Sequence, residues 1–181
     1  MSSSQRLADF DNSWYSSGAG FIKKFLWYFT NALFFNSAFP VNGFKIILLK
    51  IFGCKIGKGV IVKPFVNIKY PWKLQIGNYV WIGEKVWIDN LDNVQIENNV
   101  CISQGALLLC GNHNYKKPSF DLMTGKIMIK EGAWIGAQSI ITGNVTVFEN
   151  AILQIGSVAS KNLYKNGIYR GNPAVKIKER F

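Results

Sequence analysis

Aliphatic residues recur every six positions along most of this chain. Ile56, Val62 and Ile68 begin the series, followed by Ile76, Ile82 and Ile88, then Ile96, Ile102 and Leu108; it resumes with Ile129, Ile135, Ile141, Val147, Leu153 and Ala159. A helix repeats at 3.6 residues and a strand at 2, so a period of six belongs to neither. Small or branched residues follow four places later, among them Val60, Val66, Val80, Val86, Ala106, Ala133 and Ser139. Short strands joined by tight turns and wound into a triangular parallel β-helix produce this pattern. Each grid residue then points inward from one flat side. Gly57, Gly77, Asn78, Gly83, Asn98, Gly136 and Asn150 stand near the corners, where φ > 0 is expected and Gly and Asn tolerate it. Three grid points make one turn, so the series predicts an all-β coil of about five turns over residues 56–160. A β-sandwich would need the spacing to be coincidence.

The grid is interrupted three times, always after the third side of a turn. The interruptions, Lys69–Gln75, Asp89–Gln95 and Leu109–Met128, must therefore stack on one edge of the prism. Turns lie roughly 4.8 Å apart, so neighbouring insertions can touch. Elaborated loops on a rigid support are where function concentrates. The longest insertion, residues 109–128, carries the only histidine, His113, within Gly111-Asn112-His113-Asn114-Tyr115. Imidazole suits general-base work at neutral pH. From spacing alone, an exposed loop histidine without a role is an equal reading.

Residues 1–55 belong to no repeat. Met1–Ser17 reads as a loose polar arm, Gly20–Phe39 is dense in aromatics, and Val41–Ile51 is a second apolar stretch. The uncharged run Phe25–Phe39 is shorter than the roughly 20 residues that span a bilayer. Helices here would cap the open N-terminal end of the coil and cover its strand edges. The same surface, residues 20–51 with Lys23 and Lys24, could also rest on an anionic membrane. The net charge of +11 suits an anionic ligand, a membrane surface or nucleic acid. Nucleic acid is the weakest of these, because no recognition motif accompanies the charge. Cys54, Cys101 and Cys110 are odd in number and lack metal spacing, which predicts a reducing, cytoplasmic setting without a metal site. No secretion signal is discernible in the N-terminal segment.

Several stretches together resemble one family: Trp81-Ile82-Gly83-Glu84, Val86-Trp87-Ile88-Asp89-Asn90-Leu91, Val100-Cys101-Ile102-Ser103-Gln104-Gly105-Ala106, the Gly111–Tyr115 loop, Gly132-Ala133-Trp134-Ile135-Gly136-Ala137 and Tyr169-Arg170-Gly171-Asn172-Pro173-Ala174. In this order, from about residue 56 to the C-terminus, the chain resembles the hexapeptide-repeat O-acetyltransferases, nearest to those of colanic acid and exopolysaccharide biosynthesis. The resemblance implies a left-handed coil, a homotrimer, acetyl-CoA in a groove between two subunits, and His113 as base. It also implies direct transfer of acetyl to a hydroxyl of an exopolysaccharide or surface-glycan precursor, which could be lipid-linked. By position, Ala137, Ile155, Ser160, Lys161 and Lys178 would contact the CoA; the last three lie in or beside a basic C-terminal tail, 161–181. Trp134 would flank that path or fill a subunit contact. Asp89, Asn90, Asp92, Asn114 and Tyr115 are the candidate acceptor contacts, with Trp72 and Trp87 as stacking surfaces; Asp89 is favoured. The family often carries Asp after the histidine. Asn114 stands there instead; it can hydrogen-bond but adds no negative charge, so the base would be weaker, or a backbone carbonyl would orient the ring instead.

Cys101 and Cys110 occupy positions expected for small buried residues, which disfavours a cysteine acyl-enzyme. Zinc carbonic anhydrases on a similar coil need three histidines per metal, and ice-binding coils need ranks of Thr; neither is present. An acetyltransferase for an amino sugar, a galactoside or an amino acid stays open. So does a non-catalytic β-helix scaffold.

Overall fold

The computed structural model describes residues 4–181, so Met1, Ser2 and Ser3 of the N-terminal arm lie outside the described residues. Strands of two or three residues alternate with tight corners and stack in parallel into three sheets. The first side pairs Ile56 with Ile76, Ile76 with Ile96, Ile96 with Ile129 and Ile129 with Val147. The second runs from Val62 through Ile82, Ile102, Ile135 and Leu153 to Tyr169, and the third from Ile68 through Ile88, Leu108 and Ile141 to Ala159. All fifteen grid positions therefore stack in register, and nearly all are buried in one continuous core with the small residues between them. The coil is left-handed and makes five full turns with part of a sixth.

The corners differ from the sequence expectation in an instructive way. Positive φ falls on Gly59, Tyr79, Lys85, Asn99, Gly105, Gln138, Asn150 and Gly156; Gly59, Tyr79, Lys85 and Gln138 lie two residues past expected positions, and of the residues expected only Asn150 has it. Glycine is needed at Gly136 for another reason. A Cβ there would lie 2.5 Å from the Ile155 nitrogen and 2.7 Å from the Leu153 carbonyl oxygen of the next turn. Asn78 and Asn98 serve as rungs: the Asn98 Oδ1 accepts the Asn78 N–H at 2.8 Å, and the Asn78 Oδ1 accepts the Lys58 N–H at 2.9 Å.

The N-terminal helices close the first turn. They are α1 (Phe21–Thr30), which continues into a π-helical turn over Asn31–Phe35, and α2 (Asn42–Ile51). Trp27, Phe35 and Leu49 are buried against the coil, and the first-turn strands find partners in helix side chains. Trp27 Nε1 donates to the Ile68 carbonyl at 2.8 Å, and the Asn42 Oδ1 accepts the Val62 N–H at 2.8 Å. The fully buried Lys45 reaches the carbonyls of Lys63, at 3.0 Å, and Val62, at 3.4 Å. Unpaired backbone groups buried without partners are costly, so these side chains are what makes a closed end possible.

Residues 161–181 are more ordered than a basic tail. Leu163 bridges Val147, Gly167–Gly171 pairs with the second side, and Ala174–Glu179 returns antiparallel along it. Arg180 holds the hairpin by donating to the carbonyls of Gly132 and Asn150. The polar arm is also ordered where described. It crosses the inserted edge, with Tyr15 Oη donating to the Leu91 carbonyl at 2.7 Å and Trp72 Nε1 donating to the Ser17 carbonyl at 2.7 Å. Lys73 pins both layers through the Leu91 and Ser16 carbonyls, and burial lowers its pKa from the usual 10.5.

Candidate active site

The three insertions do lie on one edge, between the third side and the first. The longest leaves the coil as an antiparallel ribbon, in which Gly111–His113 pairs with Leu122–Thr124. Its tip, residues 114–121, is held by local turns. The Asn114 N–H donates to the Asp121 carbonyl, and the Asp121 carboxylate accepts from Lys117 and Ser119, which lowers its pKa.

His113 stands half-buried at the end of its strand, and its ring is held on three sides. Nδ1 lies 2.9 Å from the Phe120 carbonyl oxygen. A carbonyl can only accept, so the proton of a neutral ring resides on Nδ1 and the Nε2 lone pair is left free. The Phe120 ring stacks parallel on the imidazole, 4.3 Å between centroids and 2° between planes. Phe10, from the N-terminal arm, leans on it at 5.6 Å. Phe120 has φ 51°, a left-handed conformation that is uncommon for a bulky residue and that turns its carbonyl back toward the ring.

The acceptor candidates separate into free and engaged groups. Asp89 is buried beneath the ribbon, and its Oδ1 accepts from Lys69 Nζ at 2.8 Å. Asn90 is fully buried: its amide accepts the Tyr70 N–H at 2.9 Å and donates to the Tyr70 carbonyl at 2.6 Å, so it clamps the insertion below and presents no surface to a ligand. The Asn114 side chain accepts the Lys116 N–H in a local turn and does not orient His113. Asp92 accepts the Asn93 N–H at 2.6 Å. The Tyr115 ring is fully out in solvent at 80% exposure. A cavity of about 410 Å³ opens between α1 and the third side, with Asp89, Lys69, Trp87, Tyr28 and Lys24 in its wall.

The cofactor candidates fall on two different edges. Ala137, Ile155 and Lys178 line a cleft of about 530 Å³ at the corner between the second and third sides. Its floor is apolar, with Ile152, Leu153 and Ile168, and one wall is Trp134, whose indole N–H donates to Ser103 Oγ at 2.9 Å. The lysine stands at its rim. An apolar trough ending in a cation suits a flexible aliphatic-amide arm that carries phosphates. Ser160 and Lys161 are exposed on the other corner, the edge that bears the His113 ribbon, two turns further along. One chain thus keeps the cleft and the histidine apart, with the whole third side between them.

The thiols give no alternative nucleophile. Burial pushes the Cys110 and Cys54 thiols up to about 12, and Cys101 is raised by burial as well. A thiol so shifted carries almost no thiolate at neutral pH. Phe10, Phe120 and Lys69 were not recognisable as site residues from sequence. Nothing near residue 10 signals a contact with residue 113, and Phe120 acts through its backbone.

No protein-family model matches the chain. It is 35% identical over 164 residues, 90% of either chain, to WcaF of Escherichia coli K12, a protein named as a colanic acid biosynthesis acetyltransferase. A galactoside acetyltransferase solved in complex with coenzyme A is 24% identical, with a TM-score of 0.78 over 88% of this chain and 82% of its own. A hexapeptide-repeat acetyltransferase of Vibrio cholerae, solved with acetyl coenzyme A, shares the fold at 17% identity, with a TM-score of 0.73 over 78% of this chain and 79% of its own.

Proposed function

This chain belongs to the hexapeptide-repeat acetyltransferases, and from that premise we propose that it moves an acetyl group from acetyl-CoA to a hydroxyl of an exopolysaccharide or surface-glycan precursor. The single observation that carries the reading is the Nδ1 contact of His113 with the Phe120 carbonyl, which leaves the Nε2 lone pair available as a base. Nε2 takes the hydroxyl proton as the sugar oxygen attacks the thioester carbonyl; the carbon–sulfur bond breaks, and the same proton passes to the departing thiolate. The acetyl donor supplies the activated acyl group. The chain's own part is to hold the donor, orient the base and take up the proton.

The separation of cleft and histidine supports a composite site. Ala137, Ile155 and Lys178 of one protomer would face the His113 ribbon of its neighbour, with Ser160 and Lys161 of that neighbour reaching the same donor. Outward residues on the second side (Ile61, Trp81, Trp134, Ile152) are apolar, as are those on the third (Trp87, Leu107, Ile140, Val158) apart from Asn67, whereas the first side turns out Lys55, Gln75, Gln95 and Thr146, with Met128 as its apolar exception. Two apolar sides and one polar side fit a homotrimer in which each copy packs two faces inward. Asp89, partnered by Lys69, would hold an acceptor hydroxyl, with Trp87 as a stacking face. The free thiols fit a reducing cytoplasm.

Purified protein, given acetyl-CoA and a panel of free and lipid-linked sugars, is expected to release CoA thiol with at least one acceptor. His113→Ala should lower that rate by about 10²–10⁴-fold, the usual worth of a positioned base, without altering the fold. No release with any acceptor, together with no CoA binding by calorimetry, would overturn the proposal.

A further inference from the structure

The cap accounts for only half of each N-terminal helix. Trp27, Phe35, Lys45 and Leu49 face the coil; the opposite surface of α1 presents Phe21, Ile22, Phe25 and Leu26, at 52–76% exposure, and Phe29 at 48%. Phe21, Phe25 and Phe29 form a ladder, with ring centroids 6.0 and 4.9 Å apart along the helix. On α2 the outward positions are Phe44, Ile47 and Ile51, the last two more than half exposed. Large aromatic and aliphatic side chains in such a series are not needed for capping, and an apolar surface of this extent marks a contact with something else.

The charge around it selects the partner. From Asn12 to Gly83 the chain has nine lysines and not one Asp or Glu, although acids occur on both sides of that span. Lys23, Lys24 and Lys50 belong to the two helices themselves. A second copy of this chain would bring the same lysines against each other, and neither helix carries an acid to offer them a counter-charge. An aromatic and aliphatic face beside lysines fits the boundary of an anionic bilayer, with rings among the acyl chains and ammonium groups among the headgroups. Among the described residues no helix is long and apolar enough to cross a membrane, so the contact is one of lying on the surface.

We infer that the outward faces of α1 and α2 dock this protein on an anionic lipid bilayer, with Phe21, Ile22, Phe25 and Leu26 entering the interface. The inference does not depend on acetyl transfer. In the proposed trimer three such caps point the same way along the axis, so their binding would reinforce one another. The cavity beside Asp89 opens under α1, so docking would place it near the membrane plane.

The test is flotation of the full chain with vesicles of equimolar phosphatidylglycerol and phosphatidylcholine, and with vesicles of phosphatidylcholine alone. The protein should float with the anionic vesicles and be released at roughly 1 M salt, where screening falls to about 3 Å. Phe21→Ser/Phe25→Ser, both on exposed sites, should reduce the bound fraction at least tenfold while acetylation of a water-soluble sugar and the oligomeric state stay unchanged. Equal binding by the variant, or no binding of the unaltered chain to either vesicle, would overturn the inference. Loss of the trimer in the variant without vesicle binding by the parent would assign the face to contacts between copies instead.

Discussion

At the scale of residues, the account turns on what holds one imidazole. The Phe120 ring lies flat on His113 and its carbonyl fixes the tautomer, so the two parts of one residue do separable jobs. Phe120→Ala keeps the carbonyl and removes the ring. It is expected to lower kcat about tenfold through loosened geometry, to leave KM for acetyl-CoA unchanged, and to shift the melting temperature little, because Phe120 sits in a surface loop. A fall in KM-dependent terms alone would show that the ring binds substrate rather than orienting the base. Cys101→Ser and Cys110→Ala should both retain acetyl transfer within about twofold of the parent once folded, since thiols whose pKa is raised stay un-ionised and make poor nucleophiles. Trapping of an acetylated cysteine by mass spectrometry would contradict this. His113 was legible because it is the only histidine and sits in the longest interruption of the grid. Its partners were not, because one is a backbone carbonyl and the other lies across the fold at Phe10.

At the scale of elements, the six-residue period carries the coil almost by itself, because each turn repeats one burial pattern and needs no distant information. The corners were read less well. Residue type suggested glycine for its left-handed freedom, while the structure uses it at Gly136 because the backbone of the next turn comes too near for a Cβ. Gly136→Ala should therefore cost about 1–3 kcal/mol, the range for forced overpacking, measured as a shift in denaturation midpoint; a neutral result would mean that the turns can spread. At the closed end, Asn42→Ala orphans the buried Val62 N–H and should cost about 1–3 kcal/mol. Lys45 adds a pH signature. Burial lowers its pKa from 10.5, so the unfolded chain holds the proton more tightly than the folded one. Its contribution is fully present above 10.5 and is lost as pH falls through the lowered folded value. Relative to Lys45→Met, the parent should thus gain stability as pH is raised toward 10.5. A flat difference across that range would remove the buried cation from the account.

At the scale of the whole molecule, the His113 ribbon and the Ala137–Ile155–Lys178 cleft sit on different edges of the prism with the third side between them, and the proposed site needs both. The family resemblance implied a donor groove between two subunits; residue spacing by itself does not show the separation, which comes from the winding of the coil. The measurement that bears on it most directly is complementation between two disabled chains. His113→Ala lacks the base and Ala137→Trp fills the cleft, so each should be inactive by itself. Unfolded together and refolded, the two chains would give mixed assemblies of the proposed trimer in which an intact ribbon meets an intact cleft across some interfaces, and acetyl transfer should return. Mixed trimers, verified by mass, that remain as inactive as either parent would contradict a site shared between protomers.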